Sequence, residues 1–196
     1  MRRTAVVLVA VAGLGACAPS PPRTIPTPVV SGAAPTPVVS NGSDTAYLRS
    51  RGLMVPVLGV YPDRVPDTFY ARRGGDRIHR ATDIMAPRGT PVVSADSGRV
   101  LRLDHNKLGG TTLFAVDPAS RLVYYYAHLD RYEPSDRPGA PLHKGEVIGY
   151  VGSTGDASPD APHLHFQVMR FDDPRRWWDG TPIDVRAYFT IAGQDR

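Results

Sequence analysis

The stretch Pro162-His163-Leu164-His165-Phe166 places two histidines one residue apart among apolar neighbours. Successive side chains of a β-strand alternate between its two faces, so this pattern predicts a strand that carries His163 and His165 side by side. Leu164 and Phe166 would then face the opposite way, towards a core. Two adjacent imidazoles suit a metal site or an acid–base site, although an exposed strand face also carries such pairs without a chemical role. The rest of the chain must supply the further ligands.

Short strands separated by turn residues continue on both sides of this stretch. Alternation predicts a strand at residues 99–103, and residues 111–116 and 122–128 are predicted to pair across a turn at 117–120. Proline and glycine contribute 20 and 19 of the 196 residues, which favours turns and strands over long helices. We therefore expect an all-β domain, mainly an antiparallel sheet or sandwich with little helix.

The N-terminus has the features of an export signal. Residues 1–16 combine a basic start with a short apolar run, as a secretory signal peptide does, and the run falls short of the roughly 20 apolar residues that span a bilayer. Leu14-Gly15-Ala16-Cys17 resembles the signal of bacterial lipoproteins, which implies cleavage before Cys17 and attachment of lipid to that residue. The alternative is an ordinary signal peptide with an incidental cysteine.

A proline-rich segment follows the cysteine. Residues 17–45 would comprise the lipidated Cys17 and a linker in which the hexapeptide Pro-Thr-Pro-Val-Val-Ser occurs twice. Such a composition favours extended polyproline II backbone, so the segment is predicted to be a spacer between the membrane and a domain at residues 46–196. The repeat could also bind a cell-wall or division protein.

Composition excludes several classes of protein. The formal net charge of +4 falls to +2 without Arg2 and Arg3 of the signal, which leaves 21 basic against 19 acidic residues. That balance does not indicate a nucleic-acid partner. A single cysteine excludes an internal disulfide and a cysteine-rich zinc finger.

A second group of possible ligands lies near the start of the domain. His79 precedes Asp83 by four residues, and on a nearly extended segment both side chains would share a face. With one imidazole from the later strand, they would form a set of two histidines and one aspartate with a position open to water, which is typical of catalytic zinc sites. Nitrogen and oxygen donors also suit other divalent metals. Taken separately, His79 and Asp83 could be a surface ion pair, and His128 could be a packing residue.

Taken in order, the motifs resemble those of the lysostaphin/LytM-type zinc metalloendopeptidases, which cut peptide bonds in bacterial peptidoglycan. The resemblance spans about residues 55–190 and rests on His79-x-x-x-Asp83, Ala86-Pro-x-Gly89-Thr90-Pro91-Val92, Tyr126-x-His128-Leu129, Lys144-Gly145-x-x-Ile148-Gly149 and Pro162-His163-Leu164-His165-Phe166. It implies a LytM-like, duplicated-hybrid-motif fold and Zn²⁺ bound by His79, Asp83 and His165. It also implies that His128 and His163 are catalytic histidines that do not bind the metal, without saying which is the general base.

Two positions depart from the family pattern, and two histidines match none of its ligands. Ala81 replaces a glycine that is frequent in the family, and Gln167 stands where many relatives carry glutamate. His105 and His143 are expected in exposed loops. Trp177 and its neighbour Trp178 are expected to pack in the core or at its edge, with a sugar-stacking platform as the alternative.

The leading hypothesis is a membrane-anchored zinc endopeptidase that hydrolyses stem peptides or cross-links of peptidoglycan during cell-wall remodelling. The alternative is a non-catalytic LytM-type module that binds peptidoglycan and regulates another hydrolase. A biotinyl/lipoyl-like carrier is disfavoured, because no Met-Lys-Met hairpin occurs. We expect the protein on the extracytoplasmic side of the cell envelope. Ala18 follows Cys17 where an inner-membrane lipoprotein would have aspartate, which favours the outer membrane in a cell with two membranes.

Overall fold

The computed structural model describes residues 42–190 of the chain. Short strands make up most of the regular structure of this part. It contains one α-helix, α1 (Gly42–Arg51), three single-turn 3-10 helices (Pro62–Arg64, Trp177–Asp179 and Arg186–Tyr188) and thirteen strands: β1 (Leu53–Met54), β2 (Arg72–Arg73), β3 (Arg77–Ile78), β4 (Thr82–Met85), β5 (Pro91–Val93), β6 (Gly98–Asn106), β7 (Gly110–Val116), β8 (Leu122–Tyr132), β9 (Pro141–Leu142), β10 (Val147–Val151), β11 (His163–Arg170), β12 (Pro182–Ile183) and β13 (Phe189–Thr190).

The main sheet is antiparallel and confirms the all-β prediction. Its strands run in the order β12-β11-β8-β7-β6-β9, while β4 pairs with β11, and β10 bridges β5 and β8. The predicted pairing of residues 111–116 with 122–128 is also confirmed, since β7 pairs with β8. Strand β11 is central to the architecture, because β8 lies along one of its edges and β4, then β12, lie along the other.

The core lies on one face of β8 and β11. Leu164, Phe166, Tyr124 and Tyr126 are at most 1% exposed, and the rings of Tyr126 and Phe166 lie 5.1 Å apart. The intervening residues of β11 are partly exposed on the other face. The alternation predicted for this strand is therefore confirmed, and burial of its apolar face fixes the register of the whole strand.

Helix α1 packs against the sheet at the end remote from His163. It begins at Gly42, so its first turn lies within the stretch that composition assigns to the linker, and its Asp44 side chain is buried. Arg170, the last residue of β11, donates to Asp44 at 3.1 Å. At the other end of the helix, Arg51 donates twice to the buried Asp96, at 2.7 Å each.

The predicted signal peptide, Cys17 and the linker up to residue 41 lie outside the described residues. Between residues 42 and 190, no helix is long and apolar enough to cross a membrane.

Candidate metal and catalytic site

Strand pairing brings the two predicted ligand groups together. In the antiparallel register of β4 and β11, His165 lies opposite Asp83 and His163 lies opposite Met85. Their side chains leave the sheet on the face opposite the core, because the core face of β11 is occupied by Leu164 and Phe166. The register therefore places the Asp83 carboxylate next to the imidazole of His165.

His79 reaches the same point by a different route from the one the sequence suggested. It lies before β4, and the backbone of Arg80 adopts a left-handed conformation with φ of 58°. The N–H of His79 donates to the carbonyl of Ala71 at 2.9 Å, which ties this turn to the preceding segment. The two residues thus meet across a turn and not along an extended strand.

Three possible ligand atoms form a compact triangle. His79 Nε2 lies 3.0 Å from both His165 Nδ1 and Asp83 Oδ1, and the latter two atoms are 3.1 Å apart. The side chains of His79, Asp83 and His165 are only 4, 12 and 19% exposed. Four tetrahedral ligands at about 2.05 Å from zinc would be roughly 3.3 Å from one another. The donor types and their spacing therefore fit a zinc ion after an outward shift of a few tenths of an ångström.

Thr68, which the sequence reasoning missed, orients two of these side chains. Its carbonyl accepts a 2.9 Å hydrogen bond from His79 Nδ1, so Nε2 keeps the lone pair that can bind a metal. Its hydroxyl accepts the N–H of Asp83 at 3.0 Å and donates to the carbonyl of Ala81 at 3.2 Å. A lone threonine in a loop gives no sequence signal for such a role.

His128 owes its position to a β-bulge. Between the pairs Leu113–Tyr126 and Thr111–Leu129, β8 contains one residue more than β7. His128 sits in this bulge with φ of 61°, and its N–H donates to the carbonyl of Gly109 at 2.8 Å. Simple alternation after Tyr126 would turn position 128 into the core. Because of the bulge, Leu129 occupies this position in the core instead, and the His128 side chain points towards the other histidines.

The two histidines outside the triangle lie beside it. The rings of His128 and His163 have centroids 4.9 Å apart, and His163 Nε2 is 3.8 Å from Asp83 Oδ1. Each Nδ1 hydrogen-bonds a backbone carbonyl at 2.8 Å, that of Thr154 for His128 and that of Ala161 for His163. Since a carbonyl only accepts, each Nδ1 carries the proton in the neutral ring and each Nε2 keeps a lone pair. This is the tautomer that a general base needs.

The electrostatics favour neutral imidazoles around an ionised carboxylate. Burial lowers the pKa of His165 to about 4 and also lowers the pKa of His128, in spite of the Thr154 carbonyl. Burial of Asp83 acts to raise its pKa, but the adjacent imidazoles of His165 and His79 outweigh it and hold that pKa well below its usual range. At neutral pH, Asp83 is therefore ionised and His165 is neutral, which are the protonation states that metal binding requires.

Two further residues support this group, one directly and one through the backbone, and neither was assigned a role from the sequence. Arg73 in β2 donates through Nη2 to Asp83 Oδ2. Gln167, which follows His165 on the same face of β11, donates through Nε2 to the carbonyl of Arg80 at 2.9 Å and so braces the turn behind His79. His163, His165 and Gln167 together form one row of polar contacts along β11.

The remaining histidines and the tryptophans lie elsewhere. His143 is in an exposed loop, as expected. The prediction for His105 is wrong in part, because this exposed residue lies within β6, where it pairs with Thr111. Trp177 is partly buried against Phe114, with ring centroids 4.8 Å apart, and Trp178 packs on Trp177 at 5.4 Å. These contacts are those of edge packing.

Comparisons with known proteins agree with this arrangement. The chain is 35% identical over 121 residues to the L-Ala--D-Glu endopeptidase of Bacillus subtilis, which covers 59% of this chain and 36% of that protein. It is 32% identical over 118 residues to the uncharacterized lipoprotein YgeR of Escherichia coli, covering 60% of this chain and 42% of the relative. The chain thus spans less than half the length of these relatives.

A solved structure of LytU superposes with a TM-score of 0.54 at 31% identity, over 64% of this chain and 83% of LytU. The family model described as peptidase family M23 matches residues 77–184, which is more than half of the chain and includes all five residues predicted for the site. The resemblance to lysostaphin/LytM-type peptidases is thereby confirmed, and the chain belongs to peptidase family M23.

Proposed function

We propose that this protein is a zinc-dependent endopeptidase that cleaves peptide bonds in peptidoglycan, with His79, Asp83 and His165 as the metal ligands. The observation that carries the proposal is the triangle of donor atoms, two imidazole nitrogens and one carboxylate oxygen within 3.1 Å of one another, with two further histidines beside it. Three protein ligands leave a fourth position for water or substrate, as catalytic zinc sites do.

The residues around the triangle have distinct roles in this proposal. Bound zinc would supply Lewis acidity and lower the pKa of a coordinated water. Nε2 of His128 or His163 would accept a proton as general base, and the protonated partner would stabilise the developing oxyanion or protonate the leaving amine. The carbonyls of Thr154 and Ala161 hold both rings in the required tautomer.

A non-catalytic, regulatory role is less well supported. A module that only bound peptidoglycan would not require an intact set of ligands, whereas this site retains all three possible ligands and both additional histidines. Their hydrogen bonds also fix tautomers that matter for proton transfer and not for simple binding.

The test is cleavage of purified peptidoglycan sacculi by the full-length protein in detergent micelles. We expect soluble muropeptides that disappear with a zinc chelator and return when zinc is restored, and mass spectrometry of the products identifies the bond that is cut. A zinc-loaded protein that releases nothing from sacculi of several cross-link types would contradict the enzyme proposal and favour the regulatory one.

We propose further that residues 1–16 are a signal peptide, that Cys17 is lipidated, and that the segment from Cys17 up to residue 41, before α1, is a spacer between the membrane and the peptidase domain. The name of the E. coli relative, a lipoprotein, supports this proposal. Metabolic labelling with a clickable fatty acid tests it directly. Labelling of the wild-type protein, and none of a Cys17→Ser variant, is the expected result.

A further inference from the structure

The two oxygens of Asp83 have different surroundings. Oδ1 faces the imidazoles of His79 and His165 at 3.0 and 3.1 Å. Oδ2 points away from the triangle and accepts a hydrogen bond from the guanidinium of Arg73. The Asp83 carboxylate thus contacts the other two proposed ligands through one oxygen and a cation through the other.

Arg73 belongs to the same short segment as His79. Strands β2 and β3 form a hairpin in which Arg73 pairs with Arg77 and Arg72 pairs with Ile78, and His79 follows β3 directly. The neighbouring side chains on β2 differ in their surroundings. The Arg73 side chain is 38% exposed and contacts Asp83, whereas the Arg72 side chain is 77% exposed and its nearest carboxylate is Asp76 at 3.5 Å.

We propose that Arg73 is a positioning residue that keeps Asp83 a ligand through Oδ1 alone. A carboxylate with both oxygens free can bind a metal through one oxygen or through both. Only binding through one oxygen leaves the metal with three protein ligand atoms and a fourth position open. The charge-assisted bond to Arg73 occupies Oδ2 and fixes the carboxylate plane. Repulsion between the guanidinium and the bound cation opposes this effect, but the partial exposure of Arg73 allows solvent to screen it.

This inference rests on the proposed metal site, and its test therefore measures metal binding separately from cleavage. The variants are Arg73→Ala and Arg73→Lys, with Arg72→Ala as the matched control on the same strand. Zinc affinity is measured by competition with a chromophoric chelator, and the visible absorption of the cobalt-loaded protein reports the number of ligands, because coordination geometry determines the spectrum.

For Arg73→Ala, we expect a loss of zinc affinity of about 10-fold, at the lower end of the range for residues that hydrogen-bond the ligands of a metal. We also expect weaker cobalt bands, since a second oxygen of Asp83 then joins the metal. Arg73→Lys, which restores a cationic donor, should recover part of both signals, and Arg72→Ala should match the wild type. A change in general fold stability would not alter the cobalt spectrum in this way.

An Arg73→Ala protein with unchanged cobalt bands, or with unchanged or increased zinc affinity, would overturn the inference. Equal losses for Arg72→Ala would overturn it as well, because the effect would then belong to the hairpin and not to the contact with Asp83. These outcomes differ from failure of the proposed function, in which the wild-type protein binds zinc normally but leaves sacculi intact.

Discussion

At the scale of single residues, His163 and His165 lie on the same face of one strand but make different contacts in the site. His165 Nδ1 lies in the donor triangle, whereas His163 Nδ1 is held by the carbonyl of Ala161 and its Nε2 stays 3.8 Å from Asp83. The pattern His-x-His predicted their common face. It carried no information on which ring nitrogen each one turns towards the site, because that depends on contacts with β4 and with the preceding loop.

We therefore expect His165→Ala to lose both zinc and activity, and His163→Ala to lose activity while retaining zinc. Loss of one of three protein ligands should weaken zinc binding by several orders of magnitude, and loss of a proton-transfer group should lower the rate about 10²–10⁴-fold. Elemental analysis of the purified variants and cleavage of sacculi provide the two measurements. His143→Ala, in an exposed loop, is the control. Equal zinc content in the two site variants would refute this division of roles.

His128 marks the limit of reasoning from strand periodicity. Tyr126 and Leu129 are both fully buried, and two core residues three apart do not fit a regular strand. That spacing is a sequence signal for a bulge near His128. Its left-handed backbone, with φ of 61°, depends on pairing with β7, which a local pattern does not reveal.

At the scale of elements, α1 is attached to the sheet by charged contacts with buried carboxylates. Asp96, fully buried, accepts two hydrogen bonds from Arg51 and one from the Tyr124 hydroxyl at 2.7 Å. Composition predicted a linker up to residue 45 and little helix. Helix α1 instead begins at Gly42, inside the predicted linker. The tertiary contacts stabilise this segment, which has few apolar residues of its own.

Removing the guanidinium of Arg51 would leave a buried carboxylate without its cation. We expect Arg51→Ala to lower the free energy of unfolding by about 3 kcal/mol, and Arg49→Ala, which removes an exposed arginine from the same helix, to change it little. Denaturant unfolding measures both. Zinc affinity should be the same in the two variants, because α1 packs far from the donor triangle. Equal stability of the two variants would show that the ion pair contributes nothing.

The loop between β8 and β9 contains an aspartate with an unfavourable environment. Burial, together with the nearby Glu146 and Glu133, raises the pKa of Asp136 to about 6. Its Oδ2 accepts no hydrogen bond from the described part of the chain. The folded state thus holds the proton more tightly than the unfolded state, so this group lowers stability as the pH rises from about 4 to about 6, and the penalty remains in full above that window.

Asp136→Asn should therefore stabilise the protein at pH 8 and have little effect at pH 4. Because the group is only half-buried, solvent screening limits the gain to about 1 kcal/mol. Thermal unfolding of the variant and the wild type at several pH values measures the difference, and the exposed Asp160→Asn provides the control. A gain that does not depend on pH would assign the effect to something other than the charge of Asp136.

At the scale of the whole molecule, the proposed metal would join segments that are distant in sequence. His79 lies in the turn before β4, Asp83 in β4 itself, and His165 in β11. A ligand that binds only the folded state adds to stability, by about 2.7 kcal/mol at a concentration 100 times its dissociation constant. Zinc should therefore raise the unfolding temperature of the wild type, and His165→Ala should show no such rise in scanning calorimetry. Equal rises in both proteins would indicate binding at another site.

The architecture was more predictable than the details of the site. Alternation in β11 and the pairing of β7 with β8 follow from burial of one sheet face. The order of apolar and polar residues predicts this burial directly. No sequence pattern predicted the roles of Thr68 and Arg73. Arg73 acts through one hydrogen bond to Asp83. Thr68 acts through hydrogen bonds to His79, Asp83 and the carbonyl of Ala81. These contacts form only when the residues before β4 fold against it, and the local sequence does not determine them.

Strand β11 separates the point where the chain enters the domain from the donor triangle. Arg170 at one end contacts α1, where the chain enters the domain, and His163 and His165 lie at the other end, roughly 20 Å away along the strand. If Cys17 is lipidated as proposed, the chain coming from the membrane meets the domain at the end of β11 opposite the donor triangle. The length of β11 would then add roughly 20 Å to the reach of the proposed spacer, so the proposed site could meet peptidoglycan farther from the membrane than the linker alone allows.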